Sequence, residues 1–484
     1  MLRDLVSPSS DAPYPSAVRG RRDLRGRTPA RWLGALVSAA LALLGAVAVA
    51  PAAQAAGTPD VAITVGAPAQ ALQGSTFPVT LSATNPLGPN GYNTSFSLLV
   101  PTGASLSSAD PAPTGAPIAV AGGTVYLWSN VSDLLTGTTS SVTASIDPGT
   151  LPLGSLTFVG GAYVNSNPRT LPRFDAAGQP IGSTVTGFAE GTAATELVPF
   201  TITKDVDAVE NELMRGVHDH RTAVTLQIDN SFEGPSTGYA IVDYLPAALE
   251  FLGCGTDDNS ATVTEEYPGS GPLNTPPFPA PGASDGCPIP TSVETLSIDP
   301  PGAQPAGIYT VVTWDTAALA SVGAGALAAG GTRTIHYVVG IPQNANTLDF
   351  QGATPDPSSG DQGSNLDNNT GPSTLETGTE QSATNSARLS GSYDDPHAAG
   401  GAATYTDEGS DTVTLEDLAI QKGASTSTIT QGAVTTWTLD LQVSEYTAAA
   451  TDLVVTDTLP NGLCALGAGS LDAECAGGPA PSLP

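Results

Sequence analysis

Two lysines and two aspartates have the residue types and the spacing for amine or acid–base chemistry. The chain contains two lysines, Lys204 and Lys422, and each precedes an aspartate in a matching context: Asp243 in Asp-Tyr-Leu-Pro and Asp457 in Asp-Thr-Leu-Pro. Burial pushes an amine towards its neutral, nucleophilic form, and a protonated carboxyl beside it can shuttle protons. The pairs therefore predict an interaction across a core. The alternatives are an ordinary salt bridge or side chains on opposite solvated faces.

An internal repeat places these residues at equivalent positions. Each copy has a first strand, then a half-buried strand, a polar turn, another strand and a closing proline that cannot continue a β-ladder. The lysines end the first strands of copies two and three, and the aspartates stand three residues before the closing proline; copy one has Val65 and Leu98 instead. Lysine and aspartate are thus present together twice and absent together once. The first strands are residues 61–65, 200–204 and 418–422, and the following segments are 79–101, 224–246 and 437–460.

The elements that carry these residues are predicted to be β-strands. Apolar residues alternate with Thr, Ser, Asp or Gln in run after run, as in a strand with one buried and one solvated face. Turn residues are abundant, with 54 Gly and 42 Pro, and they stand mostly between the runs. The pattern predicts an all-β chain of tandem immunoglobulin-like β-sandwich domains. The predicted domains are residues 56–197, residues 198–415 with loop insertions at 267–290 and 353–383, and an incomplete 416–484 from a longer natural product.

The lysine followed by Asp-x-Leu-Pro resembles bacterial surface-protein repeats and is similar to the isopeptide-forming domains of Gram-positive fimbrial proteins. The resemblance implies an amide bond between the first-strand lysine and an asparagine on the last strand, promoted by a buried acid. It assigns Lys204 as nucleophile, Asp243 as acid and Asn385 as acceptor. Asn365, Asn368 and Asn369 are alternative acceptors. Lys422 and Asp457 would act in the third repeat, which lacks a last strand and cannot close the bond.

The first 55 residues have the composition of a secretory signal peptide. Seven of the 15 basic residues lie there, an uncharged apolar run covers residues 32–50, and Ala53-Gln54-Ala55 provides a cleavage pattern. A retained membrane anchor is the alternative, since the run approaches the length needed to span a bilayer. Without this segment the chain carries a net charge of about −35, which argues against nucleic-acid partners. The predicted location is secreted, extracellular or associated with the cell wall, and no nucleotide or other cofactor is predicted.

Four cysteines form two local pairs, Cys254 with Cys287 and Cys464 with Cys475. In an exported protein such pairs indicate disulfides, and the spacing does not suit a zinc site.

Three further motifs indicate chemistry only weakly. Gly-x-Ser-x-Gly occurs at 234–238 and 282–286, but without the strand-to-helix context of a hydrolase nucleophile. His218 and His220 could share a strand face, although a solvated loop explains them equally well. Asp356, Asp361 and Asp367 offer oxygen ligands without an EF-hand spacing, which leaves weak calcium binding as an alternative to a polar loop.

These observations predict a non-enzymatic structural or adhesive surface stalk that contacts a host surface, a neighbouring surface or cell-wall components. The alternative is a secreted carbohydrate- or calcium-binding module of a larger extracellular enzyme. More repeats with a surface anchor would favour the stalk, and an adjoining catalytic domain would favour the module.

Overall fold

Strands make up nearly all the regular structure of the protein, which confirms the all-β prediction. The described part from Thr58 onwards belongs to one compact unit. The computed structural model describes residues 57–208, 211–216, 220–254, 285–286, 288–302, 304–342, 345, 377, 381–430, 433–444, 446–447, 453–459 and 463.

Residues 62–198 form two sheets that enclose one hydrophobic cluster. The first sheet has the strand order β1-β3-β8-β5, and the second has the order β2-β10-β9-β4-β7-β6. The strands are β1 (Ala62–Gly66), β2 (Gln70–Leu72), β3 (Phe77–Thr84), β4 (Gly91–Pro101), β5 (Ser105–Asp110), β6 (Ile118–Val120), β7 (Gly123–Leu134), β8 (Thr139–Asp147), β9 (Gly154–Asn165) and β10 (Gly187–Val198).

Residues 200–416 form a second pair of sheets around a larger cluster. One sheet has the order β11-β13-β20-β15, with β16 beside β20; the other has the order β12-β22-β21-β14-β18-β17, with β19 beside β14. The strands are β11 (Phe200–Val206), β12 (Glu212–Met214), β13 (Thr222–Asn230), β14 (Ser236–Pro246), β15 (Glu250–Cys254), β16 (Asp285–Gly286), β17 (Ser292–Ile298), β18 (Gly307–Trp314), β19 (Ala326–Leu327), β20 (Thr332–Gly340), β21 (Gln381–Tyr393) and β22 (Ala403–Glu416).

The described residues also include short helical segments. A 3-10 turn covers Gly182–Thr184, and helix α1 covers Thr316–Ser321. Asp315 caps α1 by accepting a hydrogen bond from the backbone N–H of Ala318, as expected for an N-cap aspartate. No described helix has the length and apolar character required to cross a bilayer.

The third repeat is represented by one hairpin, β23 (Leu418–Ala424) paired with β24 (Trp437–Val443). The sequence predicts a further strand up to the closing proline, but residues 453–459 form none, so this prediction is wrong. The prediction of a loop up to residue 383 is also wrong at its end, because β21 begins at Gln381. Pairing with β22 draws residues 381–383 into the sheet.

Alternation along each strand determines which side chains reach the core. In β13, Val224, Leu226 and Ile228 are buried, and the polar residues between them are more exposed. The same alternation holds along most of β11, β14, β20 and β21, and each inward face has a polar position where the four strands surround one part of the core. Those four positions are occupied by Lys204, Asp243, Tyr337 and Asn385.

A network of buried polar side chains connects the two pairs of sheets. Gln73 is fully buried and its Nε2 donates to the Leu151 carbonyl at 2.9 Å and to Asp395 Oδ1 at 2.8 Å. Tyr393 donates to Gln73 Oε1 at 2.5 Å. Because buried polar groups left without partners are costly, this network holds the two sheet pairs in a defined contact.

Candidate functional site

Lys204 lies on the inward face of β11 with its side chain excluded from solvent. On one side β11 pairs with β13, where Leu226 is the partner of Lys204. On the other side β22 supplies carboxylates to the strand edge: Asp407 accepts from the N–H of Ile202 and Asp411 from that of Val206, both at 2.8 Å. Both edges of β11 are therefore hydrogen-bonded, and the amine is held inside the core.

Four buried side chains form a continuous hydrogen-bonded chain between the sheets. Lys204 Nζ donates to Asp243 Oδ2 at 2.5 Å. The Tyr337 hydroxyl donates to the same Oδ2 at 2.7 Å, and it accepts from Asn385 Nδ2 at 2.9 Å. Lys204 and Tyr337 come from one sheet and Asp243 and Asn385 from the other. The structure thus brings together the three residues predicted for this repeat and adds a tyrosine.

Aromatic side chains surround these polar groups. The Tyr337 ring lies 5.7 Å from the Phe251 ring and 5.6 Å from the Trp314 ring, measured between centroids. Lys204 Nζ lies 5.6 Å from the Tyr337 centroid. An amine, a carboxyl and an amide in such a setting have no bulk water to stabilise charge. This setting controls their protonation.

Burial shifts both members of the ion pair towards their neutral forms. Desolvation lowers the pKa of Lys204 to about 8, although the negative charge of Asp243 opposes the change. Desolvation raises the pKa of Asp243, against the effects of Lys204 and of the Tyr337 hydrogen bond. Burial also raises the pKa of Tyr337, so that its hydroxyl keeps its proton. The site can therefore hold a neutral amine beside a protonated carboxyl.

Two oxygens of the site are buried without a hydrogen-bond partner among the described residues: Asp243 Oδ1 and Asn385 Oδ1. Unpaired buried acceptors are uncommon because each costs desolvation energy. In this site they belong to the carboxyl and to the amide that are candidates for reaction. A proton on Asp243 has an unpaired amide oxygen available in the same polar cluster.

The first repeat is apolar at all four equivalent positions. Strand pairing equates Lys204 with Val65, since each stands opposite the corresponding leucine of the next strand. Asp243 corresponds to Leu98, the residue three before the closing proline. The registers of the neighbouring strands equate Tyr337 with Ala144 and Asn385 with Phe158. Leu98, Ala144 and Phe158 are buried and Val65 is half-buried.

The third repeat brings Lys422 and Asp457 together in a different environment. Lys422 Nζ donates to Asp457 Oδ1, but the two side chains are 31% and 32% exposed. The Trp437 ring covers the amine, with Nζ 4.5 Å from the ring centroid. This ion pair is partly exposed to solvent, whereas the side chains of Lys204 and Asp243 are fully buried.

Comparison with known proteins identifies no family. No family model matches the chain, and no curated protein matches it. Solved structures with weak likeness include AvmM, described as catalysing macrocyclisation in alchivemycin A biosynthesis, with a TM-score of 0.22 and 12% identity over 29% of this chain and 89% of that one. Another is red sea bream transglutaminase, with a TM-score of 0.23 and 7% identity over 74% of this chain and 31% of that one.

Other predicted residues lie away from this site. Ser236 of the first Gly-x-Ser-x-Gly motif begins β14 rather than lying in the turn, and its buried hydroxyl donates to Asn230 Oδ1 at 2.6 Å. His220 Nε2 lies 2.9 Å from the carbonyl oxygen of Val443. Within the described ranges no group of three or more His, Cys, Asp or Glu side chains is arranged to hold a metal ion.

Several predictions fall on residues that the structure does not describe. The backbone of Cys254 ends β15, but its pairing with Cys287 and that of Cys464 with Cys475 stay predictions. The same holds for the signal peptide, His218, the acceptors Asn365, Asn368 and Asn369, the second Gly-x-Ser-x-Gly serine, and the calcium-ligand candidates Asp356, Asp361 and Asp367.

Tyr337 is the site residue that the sequence pattern does not single out. It stands among Ile335, Val339 and Ile341 in an alternating run and is indistinguishable there from a core aromatic. The available signal is its hydroxyl, because a tyrosine on a fully buried strand face needs a polar partner for that group.

Proposed function

We propose that this protein is a non-enzymatic extracellular structural or adhesive stalk of immunoglobulin-like repeats, closed in its second repeat by an amide bond between Lys204 and Asn385. The observation that carries the proposal is the buried chain from Lys204 through Asp243 and Tyr337 to Asn385. The acidic composition of the chain agrees with an exported location.

The chemistry follows from the protonation states. A neutral Lys204 Nζ attacks Cγ of Asn385, while a protonated Asp243 polarises the amide and transfers protons. The Nζ–Cγ bond forms, the Cγ–Nδ2 bond breaks, and ammonia leaves. The reaction occurs once per chain, because it consumes the amine of Lys204 and the amide of Asn385. It is therefore a structural modification and not an enzymatic activity.

Asn385 lies on β21, which is followed by β22 as the last strand of this repeat. The resemblance implies an acceptor on the last strand, so the proposed position is one strand earlier. A bond from β11 to β21 joins one sheet to the other. It also closes a loop of about 180 residues, which in the chain-entropy description of cross-links stabilises the folded state by about 5 kcal/mol.

The direct test is the mass of the purified full-length chain, reduced and denatured. We expect a deficit of about 17 Da, the mass of one ammonia, relative to the mass calculated from the measured termini. The deficit should vanish in Lys204→Met and in Asn385→Ala. Lys422→Met is the matched control, because it also removes one lysine but leaves the buried site intact.

Trypsin digestion locates the bond. An acylated Lys204 resists cleavage, so the cross-linked protein should yield the peptide 174–215 joined to the peptide 334–388. A wild-type chain with the full mass and with free cleavage after Lys204 would refute the cross-link. Lys204 and Asp243 would then form an ion pair only.

A further inference from the structure

Tyr337 occupies the one place in the site that contacts both the acid and the leaving group. Its hydroxyl donates to Asp243 Oδ2 and accepts from Asn385 Nδ2, the nitrogen that departs as ammonia. Neither Lys204 nor Asp243 has a hydrogen bond to Nδ2 in the structure. A proton that moves from Asp243 to Nδ2 through groups already in hydrogen-bond contact therefore passes through the tyrosine oxygen, and the direction of both hydrogen bonds reverses as it does so.

We infer that Tyr337 is a catalytic residue of the cross-linking reaction, which relays a proton from Asp243 to the departing nitrogen of Asn385. This inference rests on the proposed function. Nitrogen is a poor leaving group until it is protonated, and proton transfer by a positioned side chain is a recognised source of rate acceleration. A hydroxyl suits the task because it donates and accepts at the same time.

Protons and bonds balance around this relay. The neutral amine first attacks Cγ of Asn385, and Nδ2 gains a free lone pair as Cγ becomes tetrahedral. The Tyr337 hydroxyl then turns from Asp243 Oδ2 to Nδ2 and donates its proton there, while the protonated Asp243 passes its own proton to the Tyr337 oxygen. Asp243 Oδ2 then takes one proton from Lys204 Nζ, to which it is already hydrogen-bonded. The new amide keeps one proton on Nζ, ammonia leaves, and Asp243 and Tyr337 end as they began.

The first repeat provides an independent observation. Its equivalents of Lys204, Asp243 and Asn385 are apolar, and its equivalent of Tyr337 is Ala144, with no hydroxyl. The residue at this position therefore changes together with the three reactive groups. The phenol hydroxyl is thus present in the repeat that has the amine, acid and amide and absent from the one that lacks all three.

The test compares the cross-linking rates of full-length chains recovered unfolded in urea and diluted into buffer to fold. The fraction of the joined peptide 174–215 with 334–388 is measured over time. Tyr337→Phe keeps the ring and removes only the hydroxyl, and we expect it to slow cross-linking by about 100-fold. Tyr239→Phe is the matched control. It removes a buried hydroxyl from the same core, but this hydroxyl donates to Asn230 and does not contact the site. The cross-linking rate of Tyr239→Phe should equal that of the wild type.

The outcomes separate the relay from the cross-link itself. If the wild type forms the cross-link and Tyr337→Phe forms it at a rate within about twofold, proton transfer by Tyr337 does not accelerate the reaction as a general acid should. The inference then fails, and the proposed function stands. If wild type does not link, the proposed function and the relay both fail. Folding of each variant is followed by tryptophan fluorescence, to which Trp314 contributes from its position against the residue 337 ring.

A second variant covers the case in which Tyr337→Phe does not fold. Replacement of Tyr337 by a ring-fluorinated tyrosine keeps the shape and hydrogen bonds but makes the phenol more acidic. Because acid–base catalysis depends on the acidity of the transferring group, the cross-linking rate should change by about threefold or more. An unchanged rate would overturn the relay.

Discussion

The first and second repeats fill the same four inward positions with side chains of opposite polarity. Repeat one fills them with Val65, Leu98, Ala144 and Phe158, and Phe158 packs edge-on against Phe77 with centroids 5.9 Å apart. Repeat two fills them with an amine, a carboxyl, a phenol and an amide that bond to one another. The large and small residues also change sheets. In repeat one the small residue, Ala144, lies in the sheet of the first strand and the large one, Phe158, in the facing sheet; in repeat two Tyr337 and Asn385 have the reverse arrangement.

This difference shows that the polar cluster is not needed for this kind of core. Apolar side chains of comparable total size close the same four positions in repeat one. A buried ion pair is at best weak evidence of stability, because its desolvation cost can exceed its attraction. We therefore interpret the cluster in repeat two as a reactive group and not as a stabilising one.

The largest expected effect comes from the removal of one charge. In an Asn385→Ala background, where no cross-link can form, Asp243→Leu should lower the free energy of unfolding by about 3 to 5 kcal/mol, because it leaves Lys204 buried without its counter-charge. Urea unfolding of the two chains at neutral pH measures the difference. A loss below about 1 kcal/mol would mean that Lys204 escapes to solvent and that the pair is not held in the core.

The pH dependence of the unlinked protein should be nearly as large. The pKa of Lys204 is about 8 when folded and 10.5 by its ordinary value, so between these pH values only the unfolded chain binds the proton. The contribution of Lys204 to the free energy of unfolding of Asn385→Ala should therefore be constant below pH 8 and should rise by about 3 kcal/mol between pH 8 and 10.5. Asp243 contributes in the opposite sense, because burial raises its pKa and the folded chain keeps a proton that the unfolded chain has lost.

Urea unfolding at a series of pH values measures this rise. Lys204→Met in the same background removes the titrating amine and should lose most of the dependence in that window. The prediction is contradicted if the free energy of unfolding of Asn385→Ala falls between pH 8 and 10.5 relative to that of the methionine variant. Such a fall would show that the folded protein stabilises Lys204 as a cation.

Conversion of repeat two to the residues of repeat one should leave the stability of the unlinked protein unchanged or raise it. The fourfold variant Lys204→Val, Asp243→Leu, Tyr337→Ala and Asn385→Phe should fold, form no cross-link, and match or exceed the stability of Asn385→Ala by up to about 4 kcal/mol. Mass and urea unfolding test these points. A variant that fails to fold would show that the two cores are not interchangeable, which would weaken the comparison between them.

The exposed pair of the third repeat should contribute least. Lys422→Met removes an ion pair whose side chains keep about a third of their exposure. Such pairs are screened by water and salt, so the change in the free energy of unfolding should stay below about 1 kcal/mol. Raising the salt concentration should reduce even this effect. A loss comparable with that of Asp243→Leu would mean that the hairpin depends on the pair.

The sequence by itself predicted most strands of the first two repeats, the repeat itself, and Lys204 with Asp243 as a candidate pair. These features depend on local patterns: alternation with a period of two, turn residues between runs, and the joint presence of lysine and aspartate in matching contexts. The resemblance to isopeptide-forming repeats added Asn385. Local alternation could not distinguish the Tyr337 hydroxyl from ordinary core packing.

Only the tertiary structure decided which side chains touch. Lys204 and Asn385 are 181 positions apart and belong to one hydrogen-bonded cluster because β11 and β21 lie in facing sheets. Sheet order and register are not contained in any local pattern. The structure also separated two lysine–aspartate pairs that look alike in sequence. One is sealed between two sheets and the other lies on an exposed hairpin, because burial depends on how many layers of structure cover a strand, not on the strand's own residues.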